Sequence, residues 1–129
     1  EFGLVSAIRE HVAPYSGPGG LRVEICAPQS LPQLSAAVEV AAYRIALEAF
    51  TNVVNHAQAT KCTIDIEIDE NSLIVEVADD GKGISANTRS GIGLNSMRER
   101  AAELGGTLSV QPNLPYGTRV KAHLPIPKE

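Results

Sequence analysis

Residues 36–57, AAVEVAAYRIALEAFTNVVNHA, decide how this chain folds. Val38, Ala41, Ala42, Ile45, Ala49, Val53 and Ala57 recur at spacings of three and four, the apolar stripe of a helix that lies on a core. Neither Gly nor Pro interrupts the run, so one long helix is predicted across it. Ser35 stands at the N-cap position with Glu39 in the first turns. Glu48, Asn52 and His56 are spaced i, i+4, i+8, with Asn55 three after Asn52. At about 3.6 residues per turn this places a carboxylate, an amide and an imidazole in one line. A solvated polar face would have the same spacing, so the helix alone does not assign a function.

Working outward, residues 3–13 predict a short amphipathic helix through Leu4, Val5, Ile8 and Val12, stopped by Pro14. Ser16-Gly17-Pro18-Gly19-Gly20 is a turn cluster, and residues 21–25 alternate apolar and charged like a half-buried strand. Residues 27–35 form a loop. Beyond the long helix, Ile64, Ile66 and Ile68 alternate with acids, Glu70-Asn71-Ser72 turns, and Leu73, Val75 and Val77 return: a hairpin. Residues 79–93, with Gly81, Gly83, Gly91 and Gly93, form a long loop, and such loops are often functional. A helix is predicted at about 95–104 (Met97, Ala101, Leu104), ended by Gly105-Gly106, then strands at 107–111 and 118–124 joined by a Pro/Asn/Gly turn. Hairpin strands with segregated helices give an α+β, two-layer sandwich: a mixed sheet with helices on one face.

Bulk properties bound the function. The 129 residues suit one domain, and 43% hydrophobic content suits a packed core rather than a disordered chain. A net charge of −4 and 4% aromatics leave neither a basic stripe nor stacking platforms for nucleic acid. No apolar run approaches the ~20 residues of a membrane span, and the N-terminus lacks a signal-peptide pattern. The chain is therefore expected to be soluble, and to be a fragment of something longer. Cys26 and Cys62 lack the spacing of a zinc knuckle or redox pair and are expected to be reduced thiols.

Three further clusters carry chemistry. Asp79-Asp80-Gly81-Lys82-Gly83-Ile84 follows directly on a strand; its glycines allow close backbone approach, and Asp79 can accept from an exocyclic amino group such as that of adenine. An acidic strand-ending turn would read the same. Gly91-Ile92-Gly93-Leu94 leads into a helix N-terminus, where free N–H groups favour an anion, although a flexible linker would also serve. Gly117-Thr118 opens the last strand with a hydroxyl able to bind a base, or with ordinary strand-edge chemistry.

In this order the four clusters resemble the N, G1, G2 and G3 boxes of the GHKL superfamily (DNA gyrase, the heat-shock chaperone of the Bergerat fold, histidine kinases, mismatch-repair ATPases), over about residues 39–125. Within it, the run Tyr43 to Ala57, the run Gly91 to Ala101, Glu103-Leu104-Gly105-Gly106 and Gly117-Thr118-Arg119-Val120 look most like bacterial two-component sensor histidine kinases paired with helix-turn-helix response regulators. The resemblance implies a Bergerat ATP-binding fold and a protein histidine kinase domain. In that pattern Glu48 is catalytic, near the reacting phosphate, and Asn52 is the Mg²⁺ ligand. Asn55 and His56 lie by the phosphates; Asp79 binds the adenine amino group; Gly81, Gly83 and Ile84 shape its pocket. Residues 84–93 form an ATP lid, with Gly91, Gly93 and Leu94 meeting the phosphates, and Thr118 supports the base. Position 55 is usually basic in the subfamily; Asn55 here removes a positive phosphate contact.

The same resemblance implies a phosphoacceptor His on a separate helical hairpin. His56 belongs to the N box, His123 to a strand, and His11 is followed by Val-Ala-Pro rather than an acid. Residues 1–14 are therefore expected to be the tail of the linker from a dimerisation and phosphoacceptor domain, and 15–129 the catalytic domain. The expected ligands are ATP and Mg²⁺. The expected partners are that acceptor domain and, indirectly, a response regulator, with no nucleic acid and with the isolated domain monomeric. The expected location is cytoplasmic, whether or not the full-length protein is anchored in the membrane. Rival readings are an anti-sigma-factor serine kinase and a non-catalytic nucleotide-regulated binding module.

Overall fold

A computed structural model describes residues 3–16, 20–82 and 93–127. In chain order the elements are α1 (Leu4–Val12), a 3₁₀ turn (Ala13–Tyr15), β1 (Arg22–Cys26), α2 (Ala36–Asn52), a π-turn (Val53–Ala57), β2 (Lys61–Asp69), β3 (Ser72–Asp79), α3 (Leu94–Glu103), β4 (Thr107–Pro112) and β5 (Thr118–Pro125). The five strands form one sheet in the order β1-β2-β3-β5-β4. Among the described strands, only the β1–β2 pair is parallel. A parallel pair needs a crossover, and α2 supplies it.

The predicted two-layer α+β sandwich is the observed one. Strand alternation sets the core face: Cys62 pairs with Asp79, Ile64 with Val77, Ile66 with Val75 and Ile68 with Leu73. The buried positions Val120, Ala122 and Leu124 of β5 continue that face. The three described α-helices cover it. Leu4, Ile8 and Val12 of α1, Ile45, Ala49 and Phe50 of α2, and Leu94, Met97 and Ala101 of α3 join the strands in a single core. Phe50 is 1% exposed, and burying a side chain of that size stabilises by roughly 1.5–3 kcal/mol. The opposite sheet face carries charge, including Arg119, which reaches Glu76 at 2.9 Å.

Ser35 caps α2 as expected, its Oγ accepting from Val38 N–H at 3.2 Å. The predicted single helix over 36–57 needs correction. Regular α-helix ends at Asn52, and the last five residues form the π-turn, closed by Gln58 in the left-handed region (φ 52°). Val53 stays buried while the chain widens toward β2. Isolated π-turns of this kind are frequent at functional sites. Among the described residues, no helix is long and apolar enough to cross a membrane.

Candidate functional site at the end of β3

The topology brings the polar clusters to one end of the sheet. Only residues 58–60 separate the π-turn from β2, so the C-terminal end of α2 lies above the start of β2. That start pairs with the end of β3, Cys62 opposite Asp79. The end of α2 and Asp79 therefore meet at the same edge of the two layers.

On the helix side, Glu48 and Asn52 are half-buried, one turn apart on α2. The line of three predicted for Glu48, Asn52 and His56 is broken after Asn52, because Asn55 and His56 belong to the π-turn, where helical spacing no longer applies. Asn55 is exposed. Against Glu48 stands Gly93, the N-cap of α3, in the left-handed region at φ 80°. A β-carbon on Gly93 would overlap Glu48 Oε2 and lie 2.8 Å from its Cδ. Its backbone angle favours glycine, and the Glu48 carboxylate packed on it would have to shift to admit a β-carbon. Among the described residues no side chain caps α3, and Glu48 brings negative charge to the positive end of the helix dipole. On its outer side Glu48 lines a cleft of about 370 Å³ between α1, α2 and α3, together with His11, Arg44 and Arg100.

On the sheet side, Asp79 is 5% exposed, on the core face beyond Val75 and Val77. Its carboxylate accepts the Gly81 N–H at 2.7 Å and the Thr118 N–H. Burial pushes its pKa above the usual carboxylate value; the two N–H groups pull it down, and the neighbouring charge of Asp80 adds to the rise. Thr118 is likewise 5% exposed, at the start of β5.

Asp80 points the other way. Its carboxylate accepts from Thr60 N–H (2.9 Å), Thr60 Oγ1 (2.7 Å) and Lys61 N–H (3.0 Å), and the Lys61 N–H and Thr60 hydroxyl hold its pKa below the usual value. Adjacent carboxyls therefore have separate roles: Asp80 ties β3 to the start of β2, while Asp79 presents a buried acceptor. From the turn between β4 and β5, Asn113 donates its Nδ2–H to the Asp79 carbonyl at 2.8 Å. Sequence marks Asn113 only as a turn former; this bond spans 34 residues and leaves no local pattern.

The structure thus groups Glu48, Asn52, Gly93 and the buried Leu94 on the helix side, and Asp79, the buried Gly81 and Thr118 on the sheet side. Gly83, Ile84, Gly91 and the predicted lid as far as residue 92 lie outside the described residues, and Gly93 is its one described position. Among the described residues no three His, Cys, Asp or Glu side chains form a metal cage. A Mg²⁺ site does not require one, since Mg²⁺ is usually held by one or two protein oxygens plus water and phosphate.

Residues 37–128 match the profile of the histidine kinase-, DNA gyrase B- and HSP90-like ATPases. The chain is 39% identical over 95 residues to the sensor histidine kinase LiaS of Bacillus subtilis, an alignment covering 72% of this chain and 26% of LiaS. It is 29% identical over 129 residues to the oxygen sensor histidine kinase NreB of Staphylococcus carnosus, covering 98% of this chain and 37% of NreB. The matched part therefore spans 26% and 37% of the length of these two relatives. In fold it is similar to the ATP binding domain of PrrB from Mycobacterium tuberculosis, with a TM-score of 0.70 at 21% identity, covering 97% of this chain and 93% of that one. It is also similar to the Erythrobacter litoralis EL346 blue-light activated histidine kinase, with a TM-score of 0.73 at 23% identity, covering 95% and 42% respectively.

Proposed function

Because this chain belongs to the histidine kinase-, DNA gyrase B- and HSP90-like ATPase family, we propose that it is the ATP-binding catalytic domain of a sensor histidine kinase. It transfers the ATP γ-phosphoryl group to a histidine on a separate dimerisation domain. The observation that carries this reading is the pairing of a buried, hydrogen-bonded Asp79 with Glu48 seated against the N-cap of α3 at the same end of the sheet.

Asp79 accepts from the adenine amino group, with Gly81 leaving room for the base and Thr118 supporting it. The phosphates extend toward the N-terminus of α3, where the N–H groups beyond Gly93 and Leu94 favour negative charge. The side-chain oxygen of Asn52, one turn from Glu48, is a hard donor suited to Mg²⁺, which would neutralise phosphate charge there. The cleft on the outer side of Glu48 gives an incoming imidazole access to that carboxylate. Glu48 orients the ring and takes its proton as the new P–N bond forms and the bond from the γ-phosphorus to the ADP oxygen breaks. Positioning and charge neutralisation supply most of such catalysis.

Residues 1–14 are the tail of the linker from the acceptor domain, a tail that includes α1, whose Leu4, Ile8 and Val12 pack into the same core as α2. Residues 83–92 carry the remaining pocket and lid positions, Gly83, Ile84 and Gly91, while Asn55 and His56 approach the phosphates from the π-turn. The domain works on the cytoplasmic side, where ATP is present, and a response regulator receives the phosphoryl group from the acceptor histidine.

Asp79→Asn tests the base assignment by calorimetry. A charge-assisted hydrogen bond contributes about 1.5–3 kcal/mol, so ATP affinity is expected to fall about tenfold to a hundredfold. Unchanged affinity would remove Asp79 from the adenine site.

A further inference from the structure

The Asp79 carboxylate is useful only if its main chain stays in place, and the structure shows how that is achieved from both sides. From the β2 side, Asp80 N–H donates to the Lys61 carbonyl at 3.3 Å, and the Asp80 carboxylate takes three donors from Thr60 and Lys61. From the β5 side, the turn at residues 113–117 closes on itself, Asn113 N–H donating to the Gly117 carbonyl at 3.0 Å. That closure aims the Asn113 amide at the Asp79 carbonyl. Gly117, at φ 115°, lies so close that a β-carbon there would overlap the Asp79 carbonyl oxygen and come within 3.0 Å of Asp80 Cα. The turn and the end of β3 are therefore in direct contact, held in register by the Asn113 amide on the Asp79 carbonyl and, just beyond the turn, by the Thr118 N–H on the Asp79 carboxylate.

We infer that Asn113 is a positioning residue for base selection: through the Asp79 carbonyl it holds the Asp79 carboxylate at the angle that accepts an exocyclic amino group, so the β4–β5 turn helps set the preference for adenine over a 6-oxo purine. This rests on the assignment of Asp79 to the adenine amino group. Asn113 is assigned no contact with the base: one of its two amide N–H donors is committed to the Asp79 carbonyl, and its part is to hold that main chain. Without it, Asp79 keeps its N–H donors from Gly81 and Thr118 but loses the restraint on its own carbonyl. The carboxylate still fits in the pocket but is less well aimed.

Inosine triphosphate is the probe, because it differs from ATP at the contact in question: an oxygen replaces the amino group. By calorimetry, the unaltered protein is expected to prefer ATP by about tenfold or more. Asn113→Ala is expected to weaken ATP binding about threefold to tenfold while leaving inosine triphosphate binding unchanged, so the preference contracts. Inosine triphosphate affinity also reports that the variant is folded. Should the Ala variant fail to fold, Asn113→Ser, polar but too short to reach the carbonyl, is expected to give the same contraction. An equal loss for both nucleotides, or a preference as large as in the unaltered protein, would overturn the inference while leaving the Asp79 assignment intact. No preference in the unaltered protein would sink that assignment, and the inference with it.

Discussion

Replacing Gly93 with Ala separates the two reasons for glycine at the start of α3. At φ 80° the backbone lies where an L-residue costs roughly 1–2 kcal/mol. For 129 residues the unfolding entropy is about 0.27 kcal/mol per degree, so this strain lowers the melting temperature by about 4–7 °C. The second effect is on Glu48. The overlap with the new methyl falls on the flexible end of its side chain, so Glu48 moves rather than the backbone. A reacting group displaced on the order of 1 Å loses about 10²-fold in rate. Single-turnover transfer from ATP to a separately supplied phosphoacceptor hairpin is therefore expected to slow by about that factor, with a much smaller change in ATP affinity. If the effect runs through Glu48, adding Gly93→Ala to Glu48→Gln slows transfer no further than Glu48→Gln alone. Losses that multiply, or a Gly93→Ala protein that transfers at the normal rate despite its lower melting temperature, would refute this account.

The raised pKa of Asp79 gives a pH prediction with a definite sign. Between the ordinary value of 3.8 and the raised folded value, the folded protein binds the extra proton, so the stability of the empty domain declines as pH rises through that window. ATP binding runs the opposite way, because the amino group needs the ionised acceptor. Affinity should fall on acidification at a pH above 3.8, and calorimetry on Asp79→Asn should lack that step; the same midpoint in both proteins would exclude Asp79 as its source. Asn52→Ala is expected to weaken nucleotide binding in Mg²⁺ while changing it little in chelator, and an equal loss in both would remove Asn52 from the metal role.

Much of this was legible in the sequence because the sheet and helix periods are simple. The alternation Leu73, Val75, Val77 continues to position 79, so the same parity that buries the valines turns the Asp79 carboxylate inward and leaves Asp80 exposed. The π-turn was not legible. Val53 and Ala57 keep helical spacing, and an apolar stripe does not register one widened turn. Nor were the braces on Asp79, since Thr60, Asp80 and Asn113 owe their roles to contacts across strands far apart in sequence.

Cys62, directly across from Asp79, has a chemical consequence of its own. Burial, reinforced by the charges of Asp79 and Asp80, pushes its thiol up to about 12. Thiolate is the reactive form, and at pH 7 only about one thiol in 10⁵ would be ionised at that value. Buried and almost wholly protonated, the Cys62 sulfur is a poor nucleophile, whereas Cys26 on β1 is exposed. The burial that raises the Asp79 pKa thus also keeps its cross-strand neighbour Cys62 in the unreactive thiol form.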